Sequence, residues 1–354
     1  MTEQKKLRRC VGIYRGHEGT VYSLDIHGPA ASPVMHTKVK KQRSGKILPE
    51  QDREASTHRE DAVTLVSGSH DQSVMVWDVK LDMAQKGELT AQIKPEKTLN
   101  GHNADVYAVE LVNMPHGPLH ALSAGDSSVR FWNLETGEIV RSYTGHTNHV
   151  SCLKLKGKRA FSGSWDTTLR SWNLETGKPM HIFHGHTNIV NTIDVTDTDV
   201  YSGSWDTNVI QWCRSTGEPV ATYRGHTDGV QCLQSHGELL LSGSMDKTIR
   251  VWNQKTVKTI RILKGHEGGV ECLQAVKQLC FSGSYDKTIR CFKINTGECM
   301  AVFEGHTDGV YCLKFYNDII LSGSGDKTIR LWDARGLVPA TSIPWWRRIL
   351  SCSG

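Results

Sequence analysis

Serine, histidine and aspartate recur together along this chain in one fixed order, and these are the residue types of a hydrolase triad. Each histidine follows a glycine, and each aspartate ends a segment that reads Ser-Gly-Ser-x-Asp or a close variant. The pairs are His17 and Asp71, His102 and Asp126, His146 and Asp166, His186 and Asp206, His226 and Asp246, His266 and Asp286, and His306 and Asp326. An enzyme needs one nucleophile in one pocket, so seven copies favour a structural role. We therefore predict no catalytic residue and no enzymatic activity.

Other sequence patterns that carry chemistry are not found. The chain contains no Gly-x-Ser-x-Gly elbow, no Cys-x-x-Cys pair and no Cys/His cluster with zinc spacing. The segment Gly325-Asp326-Lys327-Thr328 has only a weak likeness to a phosphate loop, because it lacks the Gly-Lys-Thr adjacency. The sequence thus predicts neither a metal nor a cofactor.

The cysteines and the overall composition indicate an intracellular protein. Four of the ten cysteines alternate with small residues at one repeat position, which predicts packing rather than disulfides. That position holds Cys152, Cys232, Cys272 and Cys312, against Ser23, Ala108 and Thr192 in other repeats. The N-terminal segment has no apolar h-region and no stretch approaches the ~20 apolar residues of a membrane helix, so we expect a cytoplasmic or nuclear location. The net charge of +5 permits nucleic-acid or acidic partners without implying them.

The chain is built from an internal repeat. The last five steps between Gly-His pairs are 44, 40, 40, 40 and 40 residues. An aromatic residue stands six positions after each aspartate, and these residues are Trp77, Trp132, Trp172, Trp212, Trp252, Phe292 and Trp332. Within a repeat, short runs of alternating apolar residues are separated by turn residues such as Thr-Gly-Glu, which predicts strands and not helices.

Three motifs recur in each repeat: Gly-His, Ser-Gly-Ser-x-Asp, and Trp-Asp or Trp-Asn, with small variations. They resemble the motifs of the WD-repeat family over nearly the whole chain. The resemblance implies an all-β, seven-bladed β-propeller with four antiparallel strands per blade. It also implies that the histidine, serine, aspartate and tryptophan of each blade form one hydrogen-bonded chain. Phe292 lacks the indole donor, and the second repeat reads Ser123-Ala124-Gly125-Asp126, so we expect these two blades to be locally weaker.

The two ends of the chain are predicted to meet. The last repeat ends at Trp332, its third strand, while Val11–Arg15 matches the outer strand of another repeat. We expect this N-terminal segment to close the ring, which gives 28 strands in total. The alternative closing strand, residues 337–341, contains Pro339 and is a poorer candidate. The predicted domains are a propeller over residues 9–333 and a tail over residues 334–354.

In this family the turn with the aspartate and the start of the innermost strand face the same side of the ring, which we call the top face. The residue before the aspartate is aromatic or large in five repeats: His70, Trp165, Trp205, Met245 and Tyr285. The residue after the inner-strand valine is tyrosine in three repeats, Tyr22, Tyr107 and Tyr311, and His149 and Ile189 precede that valine in two others. Exposed aromatic clusters are frequent binding hot spots, so we predict a partner-binding surface. The alternative is that these side chains pack on neighbouring blades.

The repeats most resemble those of F-box and other ubiquitin-ligase propellers. That resemblance implies a scaffold or adaptor, a monomer, that recruits proteins or short peptides to a multi-protein complex. Because the top turns carry no arginine, an unmodified ligand is favoured over a phosphopeptide. The alternative function is RNA binding within a ribonucleoprotein assembly.

Three insertions lie on the opposite, bottom face, in blades one and two. The longest, residues 27–61, is rich in charged residues and poor in aromatic ones, which predicts disorder. Its basic run begins at Lys38, and it is either a solvated loop or a docking segment. The tail contains Trp345 and Trp346 beside two arginines, and we expect it to dock on the propeller's own surface.

Overall fold

The computed structural model describes residues 6–8, 10–28, 63–79, 94–113 and 117–338. These residues form seven β-sheets, one for each repeat. Each innermost strand contacts the innermost strand of the next sheet, and the last contacts the first, so the sheets close into a ring. The predicted seven-bladed propeller with four antiparallel strands per blade is therefore confirmed.

The strands of each blade follow one another from the centre of the ring outward. Blade one contains β3 (Val21–His27), β4 (Val63–Ser69), β5 (Ser73–Val79) and β6 (Lys97–Asn100), and blade two contains β7 (Ala108–Asn113), β8 (Leu119–Ala124), β9 (Ser128–Asn133) and β10 (Ile139–Thr144). Blade three contains β11 (Val150–Lys156), β12 (Arg159–Ser164), β13 (Leu169–Asn173) and β14 (Pro179–Phe183), and blade four contains β15 (Val190–Val195), β16 (Asp199–Ser204), β17 (Val209–Cys213) and β18 (Pro219–Tyr223). Blade five contains β19 (Val230–His236), β20 (Leu239–Ser244), β21 (Ile249–Asn253) and β22 (Thr259–Leu263), and blade six contains β23 (Val270–Val276), β24 (Leu279–Ser284), β25 (Ile289–Lys293) and β26 (Cys299–Phe303). Blade seven contains β27 (Val310–Tyr316), β28 (Ile319–Ser324), β29 (Thr328–Asp333) and, on its outside, β2 (Cys10–Arg15).

The N-terminal strand closes the ring, as predicted. Strand β2 pairs antiparallel with β29, with Cys10 opposite Trp332 and Arg15 opposite Thr328. Tyr14 of this strand is only 1% exposed, and its ring meets Trp77 of blade one edge-on at 5.7 Å. The first residues of the chain are thus part of the core between the last blade and the first.

The predicted total of 28 strands is one too low for the described residues. Strand β1 (Lys6–Arg8) pairs in parallel with β26 and adds a fifth strand to the outside of blade six. Residues beyond the predicted boundary at 333 also pack on the propeller, since Ala334 and Val338 are buried in the core between blades six and seven. The repeat pattern could not indicate either feature, because neither belongs to a repeat.

The hydrophobic core lies between blades. One cluster joins Tyr201 and Tyr223 of blade four to Leu240 and Trp252 of blade five, so a single blade cannot bury its own faces. The glycine of each Ser-Gly-Ser segment permits this close approach. A Cβ placed on Gly203 would lie only 2.6 Å from Cγ1 of Val230 in the next blade. The nine described cysteines form no disulfide.

Several predicted features lie outside the described residues: most of the 27–61 insertion, the insertion after Trp77, and the Trp345-Trp346 tail. Within the described ranges, no helix is long and apolar enough to cross a membrane.

Candidate functional site on the top face

Hydrogen bonds among repeated histidine, serine, aspartate and tryptophan side chains hold the top turns of the blades in place. In six blades, Nδ1 of the histidine lies 2.7 or 2.8 Å from Oδ2 of the aspartate. In all seven, Nε2 of the ring lies 2.6–2.8 Å from a serine Oγ. That Oγ accepts the indole N–H of the tryptophan at 2.7–2.9 Å in the six blades that have one.

The directions of these bonds are mutually consistent with a neutral histidine. In blade five, the indole of Trp252 donates to Ser242, whose hydroxyl can then donate to Nε2 of His226, and Nδ1–H donates to Asp246. The other carboxylate oxygen of Asp246 accepts the backbone N–H and the hydroxyl of Thr248, at 2.9 and 2.6 Å. In blade five, each buried polar atom of this network therefore has a partner, and the network fixes the top turn.

These sets do not have the accessibility that a hydrolase triad needs. The serine of each set, such as Ser162 or Ser242, has no exposed surface. In six of the seven blades its Oγ also accepts an indole N–H, so the oxygen that would have to attack a substrate is both buried and already hydrogen-bonded. The geometry supports the structural role that repetition indicates.

Blade two departs from the pattern because its turn is one residue shorter. Ser123 stands three residues before Asp126, where the other blades have four. As a result, Nδ1 of His102 lies 3.4 Å from Asp126, and Arg130 lies closer to that carboxylate, at 2.9 Å. Burial, with the Arg130 charge, lowers the pKa of His102 to about 4. The sequence marks this blade as a variant, but the arginine contact is visible only in the structure.

Blade six shows that phenylalanine fits the tryptophan position. Phe292 is 1% exposed, and Nε2 of His266 still lies 2.8 Å from Ser282. Because the change removes both the indole donor and part of a buried ring, we expect Trp252→Phe to lower the free energy of unfolding by about 2–3 kcal/mol. Urea unfolding of the variant tests this value. The reciprocal Phe292→Trp variant serves as a comparison, and an unchanged Trp252→Phe midpoint would contradict the role assigned to the indole.

The top face carries a cup at the mouth of the central channel. The cup has a volume of about 240 Å³ and collects residues from all around the ring. Its lining consists of Tyr22, Tyr107, Ser151, Trp165, Asn191, Gln231, Glu271, Tyr285 and Tyr311. We call this set the aromatic cup. Five of its nine members are aromatic residues that the sequence analysis predicts for a binding surface.

The aromatic rings of the cup are in continuous contact. The ring of Tyr311 meets Tyr285 at 5.4 Å and Tyr22 at 5.5 Å, both edge-on. Tyr22 then contacts Tyr107 at 5.2 Å, and Tyr107 contacts Trp165 at 5.8 Å. The rings form an arc across blades six, seven, one, two and three, because inner-strand tyrosines fill the spaces between the top turns.

His149 lies behind the arc, and its ring is 5.0 Å from Trp165 and 6.1 Å from Tyr107. It supports the cup without being part of its lining. His70 is exposed, its Nδ1 lies within hydrogen-bonding distance of Oδ2 of Asp105 at 2.6 Å, and its ring lies 6.4 Å from Tyr22. Both histidines are thus next to the cup.

The remaining predicted residues, Trp205, Met245 and Ile189, do not line the cup. Trp205 is 48% exposed, and its ring lies over Gly229 of the next blade. Met245 packs in the same way over Gly269. For these two residues, packing on the neighbouring blade, which was the alternative interpretation, describes the observed contacts.

Four cup residues are absent from the predicted site: Ser151, Asn191, Gln231 and Glu271. They occupy the same repeat position as the three tyrosines, directly after the inner-strand valine. Comparison of this position across all seven repeats does indicate a rim of aromatic and polar groups that includes these four residues. The amide of Asn191 donates to Gln231, so these two polar side chains are held together.

Further down the channel, charged side chains are paired with one another across blades. Oδ2 of Asp25 accepts the backbone N–H of Leu111 at 2.7 Å, and its Oδ1 lies 3.0 Å from Nζ of Lys314. Nζ of Lys154 likewise lies 3.5 Å from Oε2 of Glu110. These contacts tie the blades together around the channel, which explains how charges are tolerated there.

Comparison with known proteins gives the same repeat. The family model described as WD domain, G-beta repeat matches residues 56–78, 93–133, 137–173, 177–213, 217–253, 257–293 and 297–333. No match falls on residues 1–55, which contain the ring-closing strand β2 and the first Gly-His pair.

Three relatives match over parts of the chain. Mitochondrial division protein 1 of Aspergillus niger is 27% identical over 204 residues, which cover 42% of this chain and 30% of the relative. Nuclear distribution protein nudF 1 of Talaromyces marneffei is 34% identical over 93 residues, or 26% of this chain and 18% of the relative. Protein groucho of Drosophila melanogaster is 27% identical over 161 residues, or 44% of this chain and 19% of the relative. The chain therefore spans less than a third of these relatives, whereas the seven family matches cover more than half of the chain. The chain belongs to the WD domain, G-beta repeat family.

Proposed function

We propose that this protein is a non-catalytic scaffold that binds an extended segment of a partner protein in the aromatic cup. The observation that carries the proposal is the continuous arc of rings at the mouth of the channel. Tyrosine and tryptophan offer a large contact area at a low cost in side-chain entropy, and they dominate binding hot spots. Within this surface Tyr285 is 42% exposed, so part of the arc faces solvent.

A peptide segment suits the dimensions of the cup better than a flat protein surface does. A volume of about 240 Å³ has room for roughly eight water molecules, and hence for one long side chain. An extended peptide could place one side chain in the cup and lay its backbone over the top turns.

The names of the relatives do not indicate one cellular process for this chain. Their names refer to mitochondrial division and to nuclear distribution, and the matches cover less than a third of each relative. Recruitment of a partner to a larger complex, such as a ubiquitin ligase, is the form of scaffolding that we propose.

The cup is tested by quantitative affinity purification from cell lysate. We expect Trp165→Ala/Tyr285→Ala to lose a specific set of proteins that the unaltered chain retains. The matched control is Trp205→Ala/Met245→Ala, which changes the same turn position outside the cup, and it should retain most of that set. Circular dichroism and the unfolding midpoint verify that both variants fold.

Two outcomes would contradict the proposal. If the cup variant retains the same proteins as the unaltered chain, the arc is packing and not a binding site. If nuclease treatment of the lysate removes the whole set, the contacts pass through RNA, and the RNA-binding alternative is supported.

A further inference from the structure

We propose that the aromatic cup receives a basic side chain, arginine or lysine, of the bound segment, with the Glu271 carboxylate as its counter-ion. This inference rests on the proposed function and names the chemical class of its ligand. It depends on three observations: an unpartnered carboxylate, the rings around it, and the sign of the neighbouring charges.

Glu271 is a buried acceptor without a donor. Its Oε1 has no exposed surface, and no described residue lies within hydrogen-bonding distance of that atom. Burial raises the pKa of Glu271 to about 7, and no neighbouring cation or donor opposes this effect in the described part of the chain. A buried carboxylate of this kind either takes up a proton or is stabilised by a paired cation. Since Glu271 lines the cup, the missing cation can come from a ligand.

The carboxylates deeper in the channel are different, because they are already paired. Asp25 has Lys314 at 3.0 Å, and Glu110 has Lys154 at 3.5 Å. Glu271 therefore differs from these two channel carboxylates in its lack of a partner and not in its burial. An unpaired carboxylate of this kind is expected at a site that binds a cation from a ligand.

The rings of the cup favour the same ligand. The face of an aromatic ring attracts a cation, and this attraction adds to the pull of a carboxylate when the cation is shielded from water. Tyr311 and Glu271 line the same cup, and Glu271 raises the pKa of the Tyr311 phenol after the larger effects of burial and Tyr285. A basic side chain that reaches Glu271 would thus pass along the tyrosine arc.

Two carboxylates, Asp105 and Asp308, act on the tyrosines of the cup. Burial raises the pKa of Tyr107 and Tyr22, and the Asp105 carboxylate raises both further. After burial and the neighbouring Tyr285 and Glu271, the Asp308 carboxylate also raises the pKa of Tyr311. The lysines that follow the aspartate in three top turns do not line the cup: Lys247, Lys287 and Lys327. The carboxylates beside the cup therefore favour a cationic ligand.

The test uses phage-displayed random peptides selected on the full chain, followed by synthesis of the enriched peptides. We expect one position to be enriched in arginine or lysine. Replacing that residue by norleucine should weaken binding by about 30-fold or more, as when one partner of a buried charge pair is removed. Calorimetric titration then compares the affinities of four peptides that carry arginine, lysine, citrulline or norleucine at this position. Arginine against citrulline isolates the effect of the charge, and arginine against lysine shows which basic side chain is preferred.

The protein side of the test is Glu271→Gln, which keeps the size of the side chain and removes its charge. This variant should bind the basic peptide about 30-fold or more weakly than the unaltered chain does. It should bind the norleucine peptide with the same affinity as the unaltered chain. The control is Glu218→Gln, which makes the same change at an exposed bottom-face turn and should alter neither affinity.

The possible failures are distinguishable. If peptides are enriched and require Trp165 and Tyr285, but carry no common basic residue, the cation inference is overturned and peptide binding by the cup stands. An affinity for basic peptides that Glu271→Gln leaves intact overturns the inference in the same way. If no peptide is enriched on the unaltered chain, or enrichment does not need the cup residues, the inference and the proposed function both fail.

Discussion

Deletion of residues 1–15 is expected to abolish the cooperative folding of the propeller. The deletion removes β2, the outer strand of blade seven, and with it Tyr14 from the core between the last blade and the first. Strand β29 would become an open edge next to the buried side chains of Ile329 and Leu331. We expect a loss of about 5 kcal/mol or more in the free energy of unfolding, which is comparable to the total stability of many domains.

The measurement is soluble yield followed by urea unfolding, and the matched control is deletion of residues 1–8. That shorter deletion removes β1, which lies outside the four-stranded blade pattern, and leaves β2 in place. It should therefore keep a cooperative transition. Equal stability of the two deletions would show that ring closure by β2 is not what holds blade seven to blade one.

Asp246→Asn is expected to lower the free energy of unfolding by about 3 kcal/mol, although the two side chains have nearly the same shape. One carboxylate oxygen of Asp246 accepts from Nδ1 of His226 at 2.7 Å and from the backbone of Thr227 at 3.2 Å. The other accepts twice from Thr248. Because asparagine has one oxygen, its amide nitrogen would face donors on one side of the turn.

The effect should depend on pH with a defined sign. Burial by itself raises the pKa of Asp246, but the hydrogen bonds from His226 and Thr248 outweigh it and hold the pKa well below its usual value of 3.8. A lowered pKa contributes stability that is complete above that usual value and is lost as the pH falls below it. The difference between Asp246→Asn and the unaltered chain should therefore be constant from neutral pH to about 4 and shrink at lower pH.

Asp228→Asn is the control for this experiment. Asp228 lies in the top loop of the same blade, and its carboxylate accepts the backbone N–H of the adjacent Gly229 at 2.7 Å. Its replacement should cost less than about 1 kcal/mol. If the two variants are equally stable, or if the Asp246→Asn difference does not change in acid, the aspartate is not the anchor of the blade network.

The repeat in the sequence predicted the blades, their number and the closing strand, and its resemblance to the WD-repeat family implied the members of the hydrogen-bonded network. The repeated features have local causes: a strand needs alternating apolar residues, and the top turn has an aspartate that is followed two positions later by serine or threonine in six blades. The Ser-Gly-Ser segment needs a glycine where the next blade approaches. Seven copies allow each position to be compared with its counterparts. Strand β1 was not predicted because it has no counterpart in the other repeats.

The tertiary structure decided which of the variable residues meet. Trp165 and Trp205 occupy the same repeat position, yet only Trp165 lines the cup. Trp165 has Tyr107 and His149 as ring neighbours, whereas Trp205 lies over Gly229 of the next blade. In the same way, Glu271 is unpaired because of what surrounds it across the channel, and not because of its place in the repeat. A repeat position fixes where the backbone lies, but contacts across blades join residues about forty or more positions apart, and their combination exists only once the ring has closed.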